Sequence, residues 1–506
     1  MKRTLHLLHR WLGIVLCGFF AAWFFSGLFM MYVEYPQLTR AERIAAFPDL
    51  QFGSATLSPG DALARLQASD FATRGTPTKN LNLPPRQESA PVRPDTVRLA
   101  QIFGRPAYVF TFGAAQPVVV FADNGSKLAR VSSDQAFDSV RTFRPGSIPR
   151  LLGTVQSDQW AVSAAMNPHR PLHHFALDDE AGTELYVSST TGEVVRDSTR
   201  RERILNYFGA VTHYLYPHVL RQFPDAWAWV VDCIAATGCL LAISGLWVGV
   251  LRARRRVPAA RTTQHRLIRW HYVLGSVFGI VTLTWVFSGW MSMNPAKLNP
   301  PRSPTPVESL AITGRPLTPD DFSRPILPPG VVEADLIHYA SQPFYRITLR
   351  DGTVRLIPGR AEPGQIQWPT TEALLAAAPH LRPDTPVVES RVLTGYDNYY
   401  YSRNPAAGTR PLPAVRVRFA DTEHTWYHLD PNTGQVIDRS TQTNRLFRWL
   451  YNGLHSFDWW WLWSRRPLWD IIVITFCLGG LSLSGLGVVL GLRRLRSERK
   501  PAPVHV

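Results

Sequence analysis

Four histidines stand at matching places in the two halves of this 506-residue chain. His9 belongs to Leu8-His9-Arg10-Trp11-Leu12-Gly13, at the head of an apolar run that contains Ser26-Gly27. At an offset of 262, His271 and Gly275 head a second such run, with Ser288-Gly289 inside it. Arg203-Ile204-Leu205 leads to His213, and at an offset of 242 Arg445-Leu446-Phe447 leads to His455. Neutral imidazole is an ordinary axial ligand of haem iron, and two of them leave no open coordination position, which suits electron transfer. The repeat therefore points to two bis-histidine haem sites. The competing reading for each residue is an interfacial histidine with no ligand, although a duplicated interface does not require histidine at every repeat position. His6, His218 and His265 lie close enough to compete as ligands.

The elements that must hold these residues are four almost purely apolar runs, 12–33, 226–251, 273–293 and 471–492. Each has at least 21 residues, enough for a helix rising 1.5 Å per residue to cross a hydrocarbon core of about 30 Å. The first follows Lys2-Arg3 but is too long for a signal-peptide core and has no small-x-small cleavage site, so it reads as a retained anchor. The formal charge of +16 is not that of a nucleic-acid binder. Residues 1–11, 252–270 and 493–506 hold 3 + 7 + 5 = 15 basic residues against the single acid Glu498, a net +14; the rest carries 54 − 15 = 39 basic and 38 − 1 = 37 acidic residues, or +2. Such flanks follow the positive-inside rule. They predict cytoplasmic termini and a cytoplasmic central loop, with two long segments outside the inner membrane of a bacterium. The expected division is an N-terminus and first span (1–33), a first periplasmic domain (34–225), a second span (226–251), a cytoplasmic loop (252–272), a third span (273–293), a second periplasmic domain (294–468), a fourth span (469–492) and a cytoplasmic tail (493–506).

Topology then constrains the pairing. His9 and His271 both precede runs that head outward, and His213 and His455 both precede runs that return. One run separates His9 from His213, so a single haem cannot take both, and the pairs must form across the repeat: His9 with His271, His213 with His455. His213 lies 13 residues before Ala226 and His455 16 before Ile471, gaps that an interfacial helix or a loop would fill. All four runs contain Ser-Gly (Ser26-Gly27, Ser244-Gly245, Ser288-Gly289, Ser484-Gly485), for close helix packing or for room beside a flat macrocycle. Arg10, Arg266 and Arg269 on the inner side, and Arg203 and Arg445 on the outer, are candidate partners for haem propionates. Asp232 and Asp470 near the outer ends of two spans are either functional acids or interfacial caps. Trp459, Trp460, Trp461 and Trp463 read as an interfacial aromatic belt. Cys17, Cys233, Cys239 and Cys477 all fall in the apolar runs, so the outer domains use no disulfides, and the lack of Cys-x-x-Cys-His excludes covalent c-type haem.

Each outer segment reads as a small α+β unit. Ser58-Pro59-Gly60-Asp61 and Leu317-Thr318-Pro319-Asp320 are helix-start signals. Asn124-Gly125 and Asp351-Gly352 are hairpin turns between 118–122 and 128–131, and between 344–349 and 354–357. Helices are expected near 134–143 and 371–378. Both segments close on a strand–turn–strand, whose Thr191-Gly192 and Thr433-Gly434 pairs are again 242 apart. A substrate side is expected at His169, His173 and His174 in the first segment and Asp397, Tyr399, Tyr400 and Tyr401 in the second. These side chains would bind a substrate above the outer pair or simply pack the sheets against each other.

The ending Asp430-Pro431-Asn432-Thr433-Gly434-Gln435-Val436, the following Arg448-Trp449-Leu450-Tyr451-Asn452-Gly453-Leu454-His455 and the amino-terminal Leu8-His9-Arg10-Trp11-Leu12-Gly13 resemble the PepSY-associated transmembrane proteins, which include bacterial siderophore reductases and iron-regulated inner-membrane proteins. The resemblance covers nearly the whole chain. It implies a four-helix membrane unit with two α+β PepSY-like periplasmic domains and, for the reductase members, two b-type haems. In the first half Ser188-Ser189 replaces the Asp-Pro, which changes a turn. The expected activity is that of a haem-dependent ferric-siderophore reductase: an oxidoreductase that conducts electrons across the lipid bilayer to a ferric siderophore and serves iron uptake. With no nucleotide-binding glycine loop or flavin fingerprint, the electron donor must be a quinol or a cytoplasmic reductase. The alternatives are a haem-free PepSY membrane protein that regulates an envelope partner, and a transporter. The few charges and unbroken helices of the spans argue against transport.

Overall fold

The computed structural model describes residues 2–74, 93–113, 115–253, 263–316, 318–360 and 366–498. Leu317 of the second helix-start signal, residues 254–262 of the expected central loop and residues 499–506 of the tail lie outside them.

Four helices are long and apolar enough to cross a membrane: Lys2–Met30, Pro224–Ala253, Thr263–Met291 and Leu468–Glu498. The first and third begin more than two turns before their apolar runs, because their basic flanks are themselves good helix formers. His9 and His271 therefore sit about two turns inside their helices. The helices close into a ring in which the first packs on the second and fourth, and the third on the second and fourth. Glycines let this happen. A Cβ on Gly480 would lie 2.3 Å from Phe24, one on Gly479 2.3 Å from Phe278, and one on Gly238 3.0 Å from Phe20. Aromatic knobs thus enter glycine holes, and van der Waals contact replaces a hydrophobic drive that lipid cannot provide.

The segment after the first span folds as β1 (Thr96–Ile102), β2 (Arg105–Thr111), β3 (Val118–Phe121), β4 (Pro149–Val155), β5 (Leu172–Leu177), β6 (Glu184–Ser188) and β7 (Val194–Ser198). The segment after the third span repeats this as β8 (Val331–Tyr339), β9 (Gln342–Leu349), β10 (Val354–Pro358), β11 (Val387–Leu393), β12 (Ala414–Phe419), β13 (Trp426–Asp430) and β14 (Gln435–Ser440). The two segments are not independent. β1 pairs antiparallel with β8 (Arg98↔Asp335, Leu99↔Ala334), which joins the leading strands of both into one six-stranded sheet, β10-β9-β8-β1-β2-β3. Leu99, Tyr108, Phe110, Ala334, Tyr345 and Ile347 from both halves form a shared core on one face. Arg350 adds a further tie to Asp49 and to the carbonyls of Ile44 and Phe47. β4–β7 and β11–β14 form separate four-stranded meanders. Ser133–Phe143 covers the first through Ala136, Val140 and Phe143, and Thr371–Ala377 covers the second through Leu374.

Local chemistry explains most boundaries. Ser58 Oγ accepts the Asp61 N–H at 3.1 Å at the start of Pro59–Arg74. The matching signal at Thr318-Pro319 yields only one tight turn, Pro319–Asp321, because Phe322 leaves it for the core. The Asn124-Gly125 turn returns the chain, but past it only Lys127 bridges to Val120, so the return strand is vestigial.

After each meander comes a capped helix, Arg200–Asn206 (Thr199, Glu202) or Gln442–Arg448 (Thr441, Asn444). Each continues into a widened π-type turn, Tyr207–Val211 or Trp449–Gly453. These wide turns end just before His213 and His455 and aim them into the bundle, while the short helices His218–Arg221 and Trp460–Trp463 stand in the gaps before the second and fourth spans. Irregular turns of this kind cost regular hydrogen bonding and gather at functional sites.

Candidate functional site: two histidine pairs

The pairs expected across the repeat are the pairs that meet. The His9 and His271 rings lie 6.3 Å apart, centroid to centroid, at 43°. Those of His213 and His455 lie 5.9 Å apart at 69°. An imidazole nitrogen sits about 2 Å from a metal that it ligates, so two rings on opposite sides of one ion have centroids roughly 6 Å apart. Among the described residues no group of three or more His, Cys, Asp or Glu gathers as a metal cage. Imidazoles meeting in twos suit a metal whose remaining ligands come from a planar macrocycle.

Three of the four rings are held by the serine–glycine step of another helix. Ser26 Oγ donates to the Trp23 carbonyl at 3.1 Å and lies 3.0 Å from His213 Nδ1. Ser288 Oγ donates to the Trp285 carbonyl at 3.1 Å and lies 3.1 Å from His455 Nδ1. Ser244 Oγ donates to the Leu241 carbonyl at 2.9 Å and lies 3.4 Å from His9 Nδ1. A hydroxyl has one proton. With that proton on its own helix carbonyl, the serine accepts from the imidazole, which places the ring proton on Nδ1 and leaves the Nε2 lone pair free. Nδ1–H of His9 also reaches the Leu241 carbonyl, and that of His455 the Trp285 carbonyl, each at 3.3 Å. Donation from the far nitrogen is the arrangement that orients a metal-ligating histidine. The glycines make the seats: a Cβ on Gly245 would stand 2.7 Å from His9 Cε1, and one on Gly289 3.4 Å from His455 Cε1.

The fourth seat differs. His271 Nδ1 is buried near the Leu483 carbonyl, the repeat equivalent of Leu241, but outside hydrogen-bond geometry. At the 242 offset Ser244 corresponds to Leu486, not to Ser484, and Gly245 to Gly487. The Ser484-Gly485 step is out of register, and the glycine nearest His271 is Gly487.

The outer pair faces a cavity of about 390 Å³ walled by Phe20, Trp23, Phe24 and Trp285. Across Arg403, Tyr451 and Ser456 it adjoins a second, polar cavity of about 340 Å³ under β11–β14.

The expected surroundings are partly corrected. Arg203 and Arg445 do not approach the outer pair. Arg203 binds the Ser198 and Gly182 carbonyls and Glu184, and Arg445 binds the Ser440 and His424 carbonyls, so both tie helix to sheet. The arginine in the cavity wall is Arg403, which no repeat match pointed to. At the other end Arg10 stacks on Trp11 with its Nε buried and unpartnered, and Arg266 and Arg269 lie on the third span just before His271.

His169, His173 and His174 pack the first meander. His169 meets Ser188, His173 is bound between Thr154 and the Val131 carbonyl, and His174 stacks on Tyr186 against Glu184. Tyr400 is fully buried on His428, and Asp397 is clamped by Arg416 at 2.6 and 2.9 Å. These five carry the packing role that was their alternative. Tyr399 and Tyr401 do line the polar cavity. Asp232, two turns inside its helix, accepts from Trp290 Nε1, and Asp470, in the first turn of its own, accepts from Tyr32 and Arg466.

A family model described as the PepSY-associated TM region matches residues 6–303, more than half of the chain. The match contains His9, His213 and His271. No curated protein matches.

Proposed function

Because the chain belongs to the PepSY-associated transmembrane family, we propose that it is an inner-membrane electron conduit with two b-type haems that reduces a ferric siderophore or another ferric chelate on the periplasmic side. The observation that carries this reading is the pairing of His9 with His271 and His213 with His455 at ligation-compatible separations, three of the four rings oriented through Nδ1. Bound at each pair, haem would supply reversible one-electron iron chemistry. The imidazoles would hold it from both faces, the serines would fix their tautomer, and the aromatic wall of Phe20, Trp23, Phe24 and Trp285 would keep water from the outer site.

Orientation rests on charge. Among the described residues Lys2, Arg3, Arg10, Arg252, Arg266, Arg269, Arg493, Arg494 and Arg496 stand at the end of the bundle away from the sheets, and by the positive-inside rule that end, with both termini, would face the cytoplasm. The donor there is a quinol or a cytoplasmic reductase. At the other end one electron converts Fe(III) to Fe(II), whose lower charge weakens its hold on hard oxygen donors, and the iron leaves.

The test is a visible spectrum of the full-length protein, purified in detergent from haem-replete cells. A Soret band with sharp reduced b-type bands, reoxidised by a ferric chelate with release of Fe(II), is expected. A colourless preparation would sink the conduit and leave a haem-free regulator of an envelope partner.

A further inference from the structure

The polar cavity beside the outer pair concentrates uncompensated positive charge. Its walls carry Arg302, Arg403, Arg410 and Arg448 with Tyr399 and Tyr401. One carboxylate, Asp458, lines it, and a second, Asp438, stands behind Arg302 and Arg410. Four arginines against two carboxylates leave +4 − 2 = +2. Three of the arginines are fixed by these acids: Arg302 grips Asp438 at 2.9 and 2.7 Å, Arg410 reaches it at 3.3 Å, and Arg403 clamps Asp458. Burial opposes ionisation of Asp438, but His428, Arg410 and Arg302 hold its carboxyl down to about 2.

Arg448 is different. It is only 5% exposed, and among the described residues no carboxylate pairs with it. Its Nη2 donates to the Asp458 carbonyl, while Nε and Nη1 are buried without a partner. Trp449 and Tyr401 sandwich it at 4.1 and 5.5 Å. Buried polar groups are normally satisfied, and a buried charge more stringently so. The fold does not require this arrangement, because the repeat equivalent of Arg448 is Asn206, which binds the Glu34 and Glu202 carbonyls.

We propose that this cavity binds a soluble polycarboxylate from outside, its carboxylates taken by the Arg448 guanidinium and the fixed arginines around it. Planar guanidinium forks match carboxylates in geometry as well as charge. Arg403, 47% exposed, forms the open rim, and Tyr451, 5.6 Å from the His455 ring, forms the shared wall. The further step, that the polycarboxylate is the shell of the ferric acceptor, rests on the di-haem reading; the anion site does not.

The test uses the full-length protein in detergent, with citrate as probe. At constant ionic strength citrate is expected to bind by calorimetry and to raise the melting temperature, where sodium chloride does not. Arg448→Met should weaken citrate binding at least about tenfold and, by removing an unpaired buried charge, melt no lower than wild type. Arg410→Gln, at a weaker contact, should lose less and serves if the first variant does not fold. Equal citrate response in wild type and variants, or none in wild type, overturns the proposal. The same carboxylate chemistry belongs to haem propionates, so haem-loaded and haem-free protein are compared; citrate binding confined to haem-free protein assigns the arginines to haem and overturns it. Citrate binding by a colourless preparation would keep the site and sink the conduit.

Discussion

The two halves of the chain agree where imidazoles are seated and disagree where charge is placed. Trp23, Ser26 and Gly27 under His213 match Trp285, Ser288 and Gly289 under His455, with hydrogen bonds equal to within 0.1 Å. One strand away the pattern inverts: Arg196-Asp197-Ser198 on β7 stands against Asp438-Arg439-Ser440 on β14. Arg196 reaches the Pro36 carbonyl beside Tyr35, and Trp160 packs Tyr35 and Tyr207 into an apolar plug. Asp438 instead draws in Arg302, Arg410 and His428. Where the first half is plugged, the second opens the arginine cavity. Duplication supplied a symmetric pair of imidazole seats, and the asymmetry beside them gathers the arginines on one side.

Four changes would break or sharpen this comparison. The largest effect belongs to the ligands. His271→Ala and His455→Ala should each remove roughly half of the haem absorbance, and loss of neither would mean that the ligands are misassigned. Next come the seats. Gly245→Ala places a methyl against His9, where a Cβ stands at 2.7 Å, and should weaken haem retention at the inner pair by about 10–100-fold. Gly27→Ala meets His213 only at 3.9 Å and should leave the spectrum intact. Equal responses in the two glycine variants would argue against close-fitted imidazoles.

The third change concerns the inverted acids. Burial first, then Glu42 and Glu202, pushes Asp197 up to about 7. Its folded state holds a proton that the unfolded chain has released, so its contribution is full below about pH 4 and lost as pH rises through about 7. Asp438, held down to about 2, contributes above about pH 4 and loses that only as pH falls toward 2. Asp197→Asn should flatten the fall in melting temperature between pH 5 and 8 by several degrees, on the order expected for a 1–3 kcal/mol change in a chain of this size. A wild-type melting temperature already flat over that range would dispose of the idea. The smallest effect lies at the incomplete seat. Leu486→Ser offers His271 the hydroxyl that His9 receives from Ser244 and should shift one midpoint potential in a redox titration. If neither it nor Ser244→Ala moves a potential, the hydroxyls do not orient the ligands.

Much of this molecule was legible in the chain. Unbroken apolar length announces a span, basic flanks predict its direction, and repeat offsets of 262 and 242 bring His9 with His271 and His213 with His455, because the two halves fold alike. The capping signal at Ser58 works over three residues and needs nothing distant. Three things needed the tertiary structure. One is the β1–β8 pairing, since a strand that ends one sheet and a strand that crosses to another have the same alternation. Another is the register of the fourth seat, since Ser484-Gly485 looks equivalent until Leu486 and Gly487 are seen to occupy the matching places. The last is the company of the arginines. Arg203 and Arg445 lie near the histidines in sequence yet serve the sheets, while Arg403 and Arg448 reach the cavity from a loop and a helix end. Hydropathy, caps and repeats are local or periodic and so are written in order along the chain; which charged side chains converge depends on how distant elements pack, and only the folded molecule decides that.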